Sequence, residues 1–192
     1  MIEEQLNKFI EFVQQGTVVE LYNEAGLQHE LGFYLKQNLS SSCKIQLERN
    51  IEAITGSKKG FHKKELDIYI SDGKSKIAIE LKVPINKQIP RRMELAFEDV
   101  RFLEQLKAKG FNECYFLFAS NVKSFWKSRR EQKIYEYFND GIFQTLKKTD
   151  VPTFIQSSKT AFSKLNKTYR FEWKDLKVQD KKQWRYFILK VN

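Results

Sequence analysis

Apolar side chains at Leu6, Phe9, Ile10 and Val13 recur at the three- and four-residue spacing of one helical face and predict a helix over residues 3–14. A second helix is predicted from about Asn23 to Leu39. After Ser40-Ser41-Ser42 the period changes: residues 44–54 alternate as a strand does, with Ile45, Leu47 and Ile51 on the buried side. Two strongly patterned strands follow, 64–70 and 75–83, joined by Ser71-Asp72-Gly73-Lys74; Asp-Gly between alternating runs is among the strongest hairpin signals. Pro84 and Pro90 bracket a loop, and Met93, Phe97, Val100, Leu103 and Leu106 then mark one face of a helix from about Pro90 to Lys109, stopped by Gly110. The apolar run 113–119 reads as a strand buried on both faces. Beyond it the pattern predicts a basic, aromatic helix over 122–138, a turn at Asp140-Gly141, and strands at 169–176 and 184–191 that could pair. The order through residue 120 is αβββαβ. It implies an α/β fold, a mixed central sheet flanked by helices, extended by a C-terminal helix and β-hairpin.

At 192 residues the chain is expected to be one domain, with a core over 20–120 and a basic, aromatic extension over 121–192. Its 16 Phe, 8 Tyr and 3 Trp supply apolar area for a real core. The 34 Lys and Arg outnumber 24 Asp and Glu, a net charge of +10 that makes nucleic acid the leading partner. The longest apolar run, Cys114 to Ala119, is six residues, against the roughly 20 of a spanning helix, so no membrane role is expected. The start Met1-Ile2-Glu3-Glu4 has no secretory pattern, and the cytoplasm is the expected location. With only Cys43, Cys114, His29 and His62, mechanisms needing several Cys or His are excluded, and no phosphate loop or nucleophile elbow is present. Chemistry must fall to carboxylates, lysines and hydroxyls.

The hairpin offers them. If Asp72-Gly73 makes a two-residue turn, Ile70 faces Ser75, and Leu66, Ile68, Ile70, Ile77, Ile79 and Leu81 share an apolar face. Glu65, Asp67, Tyr69, Ala78, Glu80 and Lys82 then share the other, with Asp67 across from Ala78, Glu80 its diagonal neighbour, and Glu65 opposite Glu80. Such an anionic cluster is destabilising unless a cation or Lys82 compensates it, which points to a shared metal on Asp67 and Glu80. Hard oxygen donors select Mg²⁺, with Mn²⁺ as a substitute.

Asp67 in Glu65-Leu66-Asp67-Ile68 and Glu80-Leu81-Lys82 at the end of the next strand resemble the two motifs of the PD-(D/E)XK nucleases, although Leu66 stands where the family name has proline. The family's αβββαβ core, the restriction-endonuclease-like fold, covers roughly residues 20–120. The resemblance implies Mg²⁺-dependent hydrolysis of DNA phosphodiesters, by an endonuclease serving restriction, repair or a mobile element. Asp67 and Glu80 would hold the metal and Lys82 would orient the attacking water. A further glutamate on the preceding helix, which would complete the metal's shell through water, is placed at Glu30, with Glu24 the competing position and Glu48 a third. Lys87, Arg91, Arg92, Lys127, Arg129 and Arg130 are candidate phosphate contacts. Cleavage of both strands would favour a homodimer, and recognition could also come from a partner protein. Glu94, Glu98, Asp99 and Glu104 read as solvated carboxylates suited to the helix dipole. Two alternatives stand beside this reading: a non-catalytic nucleic-acid-binding module of the same fold, and an RNA-directed nuclease.

Overall fold

A computed structural model describes residues 2–15, 21–85, 88–128, 133–140, 165–178 and 182–192. Helix α1 (Ile2–Gln14) buries Ile2, Leu6, Phe9, Ile10 and Val13, the stripe its spacing predicts. Helix α2 (Glu24–Asn38) starts where Asn23 accepts the Gly26 N–H at 2.6 Å, and it buries Leu27, Leu31 and Leu35. Strand β1 (Lys44–Asn50) is shorter than its alternation suggests. The Asn50 side chain accepts the Glu52 N–H at 2.9 Å and turns the chain into the short helix α3 (Ile51–Thr55).

The hairpin forms as β2 (Glu65–Ser71) and β3 (Lys76–Lys82), but in a register two residues away from the predicted one. Tyr69 faces Ala78 and Ser71 faces Lys76. The cause is Asp72, whose carboxylate accepts the N–H groups of Lys74 at 2.9 Å and Ser75 at 2.7 Å, turning a two-residue turn into a four-residue loop. Because strand side chains alternate with period two, a shift of two leaves Ile68, Ile70, Ile77, Ile79 and Leu81 on their predicted shared face. Leu66 is the exception: it packs with Ile51 in the opposite cluster from Ile68, beyond the last ladder pair, Ile68 with Ile79.

Helix α4 (Ile89–Ala108) carries the chain to β4 (Glu113–Ser120), which runs parallel to β3. The six strands lie in the order β1-β2-β3-β4-β6-β5, a mixed sheet flanked by helices, with β5 (Lys174–Leu176) and β6 (Trp184–Val191) from the extension. On one face α1 and α2 cover Ile68, Ile70, Ile77, Ile79 and Leu81. On the other, α4 and the aromatic extension cover Phe116, Phe118 and Phe187. Among the described residues no helix is long and apolar enough to cross a membrane.

The extension departs from its sequence reading: the strand expected over 169–176 is confined to Lys174–Leu176, and Gly141 of the expected Asp140-Gly141 turn lies outside the described residues. Where one helix is predicted over 122–138, a 3₁₀ turn (Lys123–Phe125) and the short helix α5 (Lys133–Glu136) occur instead. The Asp140 N–H donates to the Trp126 carbonyl at 2.8 Å, and the Asn139 side chain bonds both backbone groups of Ser128. These bonds fold the segment back on itself and drive Phe125, Trp126, Tyr135 and Phe138 into the core. The late strands also join the central sheet: β6 pairs with β4 from Cys114–Val191 to Ser120–Arg185. Phe187 stacks on Phe118 at 5.2 Å and on Phe171 at 4.5 Å.

Glu104, read as solvated, pins this arrangement. Only 4% exposed, its carboxylate accepts the Asn166 N–H at 2.8 Å, the Lys167 N–H at 2.9 Å and the Tyr169 hydroxyl at 2.9 Å. Glu104→Ala removes the acceptor from all three and is expected to cost ~3 kcal/mol, seen as a lower midpoint in urea unfolding with an unchanged slope.

Candidate active site

The site lies where the central hairpin parts. The β2–β3 ladder ends at Ile68 and Ile79, and just beyond it each strand's carboxylate takes an N–H of the other strand. Asp67 Oδ2 accepts the Leu81 N–H at 2.7 Å, and Glu80 Oε1 accepts the Asp67 N–H at 3.4 Å. Side chains thus replace backbone ladder bonds, which holds Asp67 and Glu80 inside the sheet at 9% and 0% exposure.

Two ammonium groups answer them. Lys82, at the end of β3, reaches Glu24 Oε1 at 3.0 Å, the Leu81 carbonyl at 3.2 Å and Asp99 Oδ2 at 3.2 Å. Lys63, from the loop before β2, donates to Glu80 Oε2 and to Asp99 Oδ1 at 2.8 Å, and lies 3.9 Å from Asp67 Oδ1. Asp99, on α4, therefore joins the two lysines. Neither Lys63 nor Asp99 stands out in the sequence reading. Lys63 is one of four lysines in a basic loop, and nothing local singles it out. Asp99 is a correction with a visible signal: it falls in the helical stripe Ala96, Asp99, Leu103, Leu106, where a carboxylate is out of place unless paired. Glu94, also read as solvated, is buried and pairs with Arg91 at 3.0 Å.

Of the candidate helix glutamates, Glu24 is the one at the site. Its Oε1 meets Lys82 and its Oε2 accepts the Val83 N–H at 3.3 Å. Glu30, six residues on and about 240° around the helix axis, points elsewhere and sits 3.7 Å from His29 Nδ1. Gln28, one turn after Glu24, donates to Glu48 Oε1 and to the Asp67 carbonyl, both at 2.8 Å. Glu48 has a left-handed backbone (φ 48°) and falls between the Leu47–Ile68 and Arg49–Leu66 pairs, in line with Asp67. Glu24, Ala25, Gln28, Glu48, Asp67 and Leu81 line a cleft of about 190 Å³ that opens onto the carboxylates.

Asp67, Glu80, Asp99 and Glu24 thus share Lys63 and Lys82, four carboxylates to two ammonium groups. Burial pushes the Asp67 carboxyl up to about 6 against the pull of Lys63, and burial together with Asp67 and Asp99 raises Glu80 well above the usual carboxylate range. Burial alone would lower both lysines, but it is outweighed by Glu80 and Asp99 at Lys63 and by Asp99 and Glu24 at Lys82, so both stay protonated. The cluster is short of positive charge. Among the described residues no three His, Cys, Asp or Glu side chains are gathered to hold a metal as they stand, since these carboxylates turn onto the ammonium groups. The all-oxygen donor set and the charge deficit nonetheless fit a hard divalent cation.

Of the expected phosphate contacts, Arg92 is half-buried and Lys127 exposed, whereas Arg91 is engaged by Glu94 and by Glu98 at 3.7 Å. Lys87, Arg129 and Arg130 lie outside the described residues. Comparison with family models, with curated proteins and with solved structures returns no match to this chain.

Raised carboxyl pKa values favour the folded state at low pH: their contribution is full below the unfolded value near 3.8 and is lost as pH rises through about 6. In EDTA, Asp67→Asn keeps an acceptor for Leu81 and removes this loss, which for a rise from 3.8 to about 6 amounts to ~3 kcal/mol at most. The variant is expected to melt above the wild type at pH 8, with the gain shrinking toward pH 4 in thermal scans.

Proposed function

We propose that the chain is a divalent-metal-dependent nuclease of the PD-(D/E)XK type, on a restriction-endonuclease-like core, that hydrolyses DNA phosphodiester bonds. The carrying observation is the joint burial of Asp67, Glu80 and Lys82 around the parted hairpin. A fold has no structural need for this cluster, since buried ion pairs are weak evidence for stability and apolar residues would serve as well. The αβββαβ order and mixed sheet are consistent with that core.

Asp67 and Glu80 would hold Mg²⁺ or Mn²⁺, which supplies a more acidic bound water and neutralises charge gathering on the phosphate. The chain's own groups do the rest. Lys82, kept protonated by Asp99 and Glu24, serves as a hydrogen-bond donor and positive charge toward the attacking water and the phosphate, not as a base. Glu24 takes the part first given to Glu30: it fixes Lys82 and lends a carboxylate to the cleft. Glu48, held by Gln28 on the cleft's far wall, adds another oxygen donor. Arg92 and Lys127 are retained as phosphate contacts, and the net charge of +10 draws the duplex in.

The test is cleavage of supercoiled plasmid, linear duplex, single-stranded DNA and RNA in Mg²⁺, Mn²⁺ or EDTA. Nicking or linearisation of plasmid, dependent on metal, is expected. Asp67→Ala should abolish it, and Lys82→Ala should slow it about a hundredfold to a thousandfold. Salt-sensitive DNA binding with no cleavage in either metal would overturn the catalytic reading in favour of a binding module, and cleavage confined to RNA would overturn the substrate.

A further inference from the structure

Lys63 brings a charge into the cluster at the place a metal would need. Its Nζ contacts Glu80 Oε2, lies 2.8 Å from Asp99 Oδ1 and 3.9 Å from Asp67 Oδ1, so it faces both proposed metal-holding carboxylates. A magnesium ion draws its oxygens to about 2.1 Å, and an ammonium group on the same oxygens would overlap and repel it. Lys82 is in a different position: it extends from a central strand, its side chain is 11% exposed, and its partners are Glu24 and Asp99. The Lys63 side chain is 29% exposed and has a path to solvent.

We propose that Lys63 is a built-in counter-ion that occupies the carboxylate site until a divalent cation displaces it, and that the freed ammonium then turns to the nucleic-acid backbone. The inference rests on the nuclease reading, because it takes Asp67 and Glu80 as the pair that holds the metal.

The surroundings of Lys63 suit a side-chain swing. Its backbone neighbours are pinned on both sides: the Lys64 carbonyl accepts the Ile51 N–H at 2.8 Å, and the His62 N–H donates to Gln105 Oε1 at 3.3 Å. The four-carbon stem therefore moves while the loop stays. The need for a counter-ion is equally plain, since four carboxylates gathered on Lys82 alone would either take up protons or leave charge uncompensated. Two consequences follow from linkage. Metal affinity is scaled by the fraction of time that Lys63 leaves the site vacant. Metal and nucleic acid each help the other bind, because both draw Lys63 out of its buried position.

The test measures binding, apart from cleavage. Mn²⁺ is titrated into metal-free wild type, Lys63→Met and Lys63→Arg and followed by the loss of the free-ion electron paramagnetic resonance signal, with Asp67→Ala as the blank and circular dichroism to establish folding. Lys63→Met is expected to bind about tenfold more tightly, and Lys63→Arg no more tightly than wild type. A short duplex should tighten Mn²⁺ binding more in the wild type than in Lys63→Met. In the wild type alone, amine labelling read by mass spectrometry should find Lys63 protected in EDTA and reactive once Mn²⁺ is bound, and this decides the matter should Lys63→Met fail to fold. Equal Mn²⁺ affinity in wild type and Lys63→Met, or a Lys63 that stays protected with Mn²⁺ bound, overturns the counter-ion role while leaving the nuclease reading intact. No Mn²⁺ bound by folded wild type or Lys63→Met overturns the metal-dependent reading itself.

Discussion

The cost of burying carboxylates in the middle of a sheet governs this structure. Asp67 and Glu80 stand where the β2–β3 ladder gives out, and each takes an N–H from the opposite strand. Removed from water, a carboxylate loses several kcal/mol of solvation, so the fold must deliver cations and donors to that point. The cations are Lys82 from β3 and Lys63 from the loop before β2, and two more carboxylates fix them in place, Asp99 of α4 between the two and Glu24 of α2 on Lys82. The ion-pair chain Glu80–Lys63–Asp99–Lys82–Glu24 is therefore also a clamp, tying the two helical layers to the strand between them.

That dual character explains why the cluster reads as chemistry. A purely structural role would be met more cheaply by leucine or methionine, as elsewhere on β2 and β3, where Ile68, Ile70, Ile77 and Ile79 fill the sheet. The cleft beside it has a carboxylate on each wall and Gln28 bridging Glu48 to the Asp67 backbone, so the oxygens are oriented by bonds rather than by chance packing.

Much of this was legible because it is local. Three- and four-residue spacing located α1, α2 and α4, and alternation located the hairpin. What escaped is decided at long range or by single side chains. Asp72 altered the hairpin register, a choice that Asp-Gly spacing does not reveal. Glu24 sits in a first helical turn, where a carboxylate already has a reason to be, so its reach to Lys82 cannot be separated from Glu30 by pattern alone. The aromatics of 125–138 do have helical spacing, but Asn139 and Asp140 bond back to Ser128 and Trp126 and override it. Lys63 could be found only by tracing the loop in space.

The strand order carries a further consequence, for how the molecule comes into being. β6 lies between β4 and β5, so until residues 184–191 have been made, β4 offers an unpaired edge: Cys-Tyr-Phe-Leu-Phe-Ala, among the most apolar stretches of the chain. During synthesis the residues from α1 to β4 can assemble with the carboxylates already in place, yet the aromatic side of the sheet then has α4 to cover it without the aromatic side chains of the extension. A chain that has not yet added β6 thus exposes that apolar edge, and the pairing of β6 along β4 covers it.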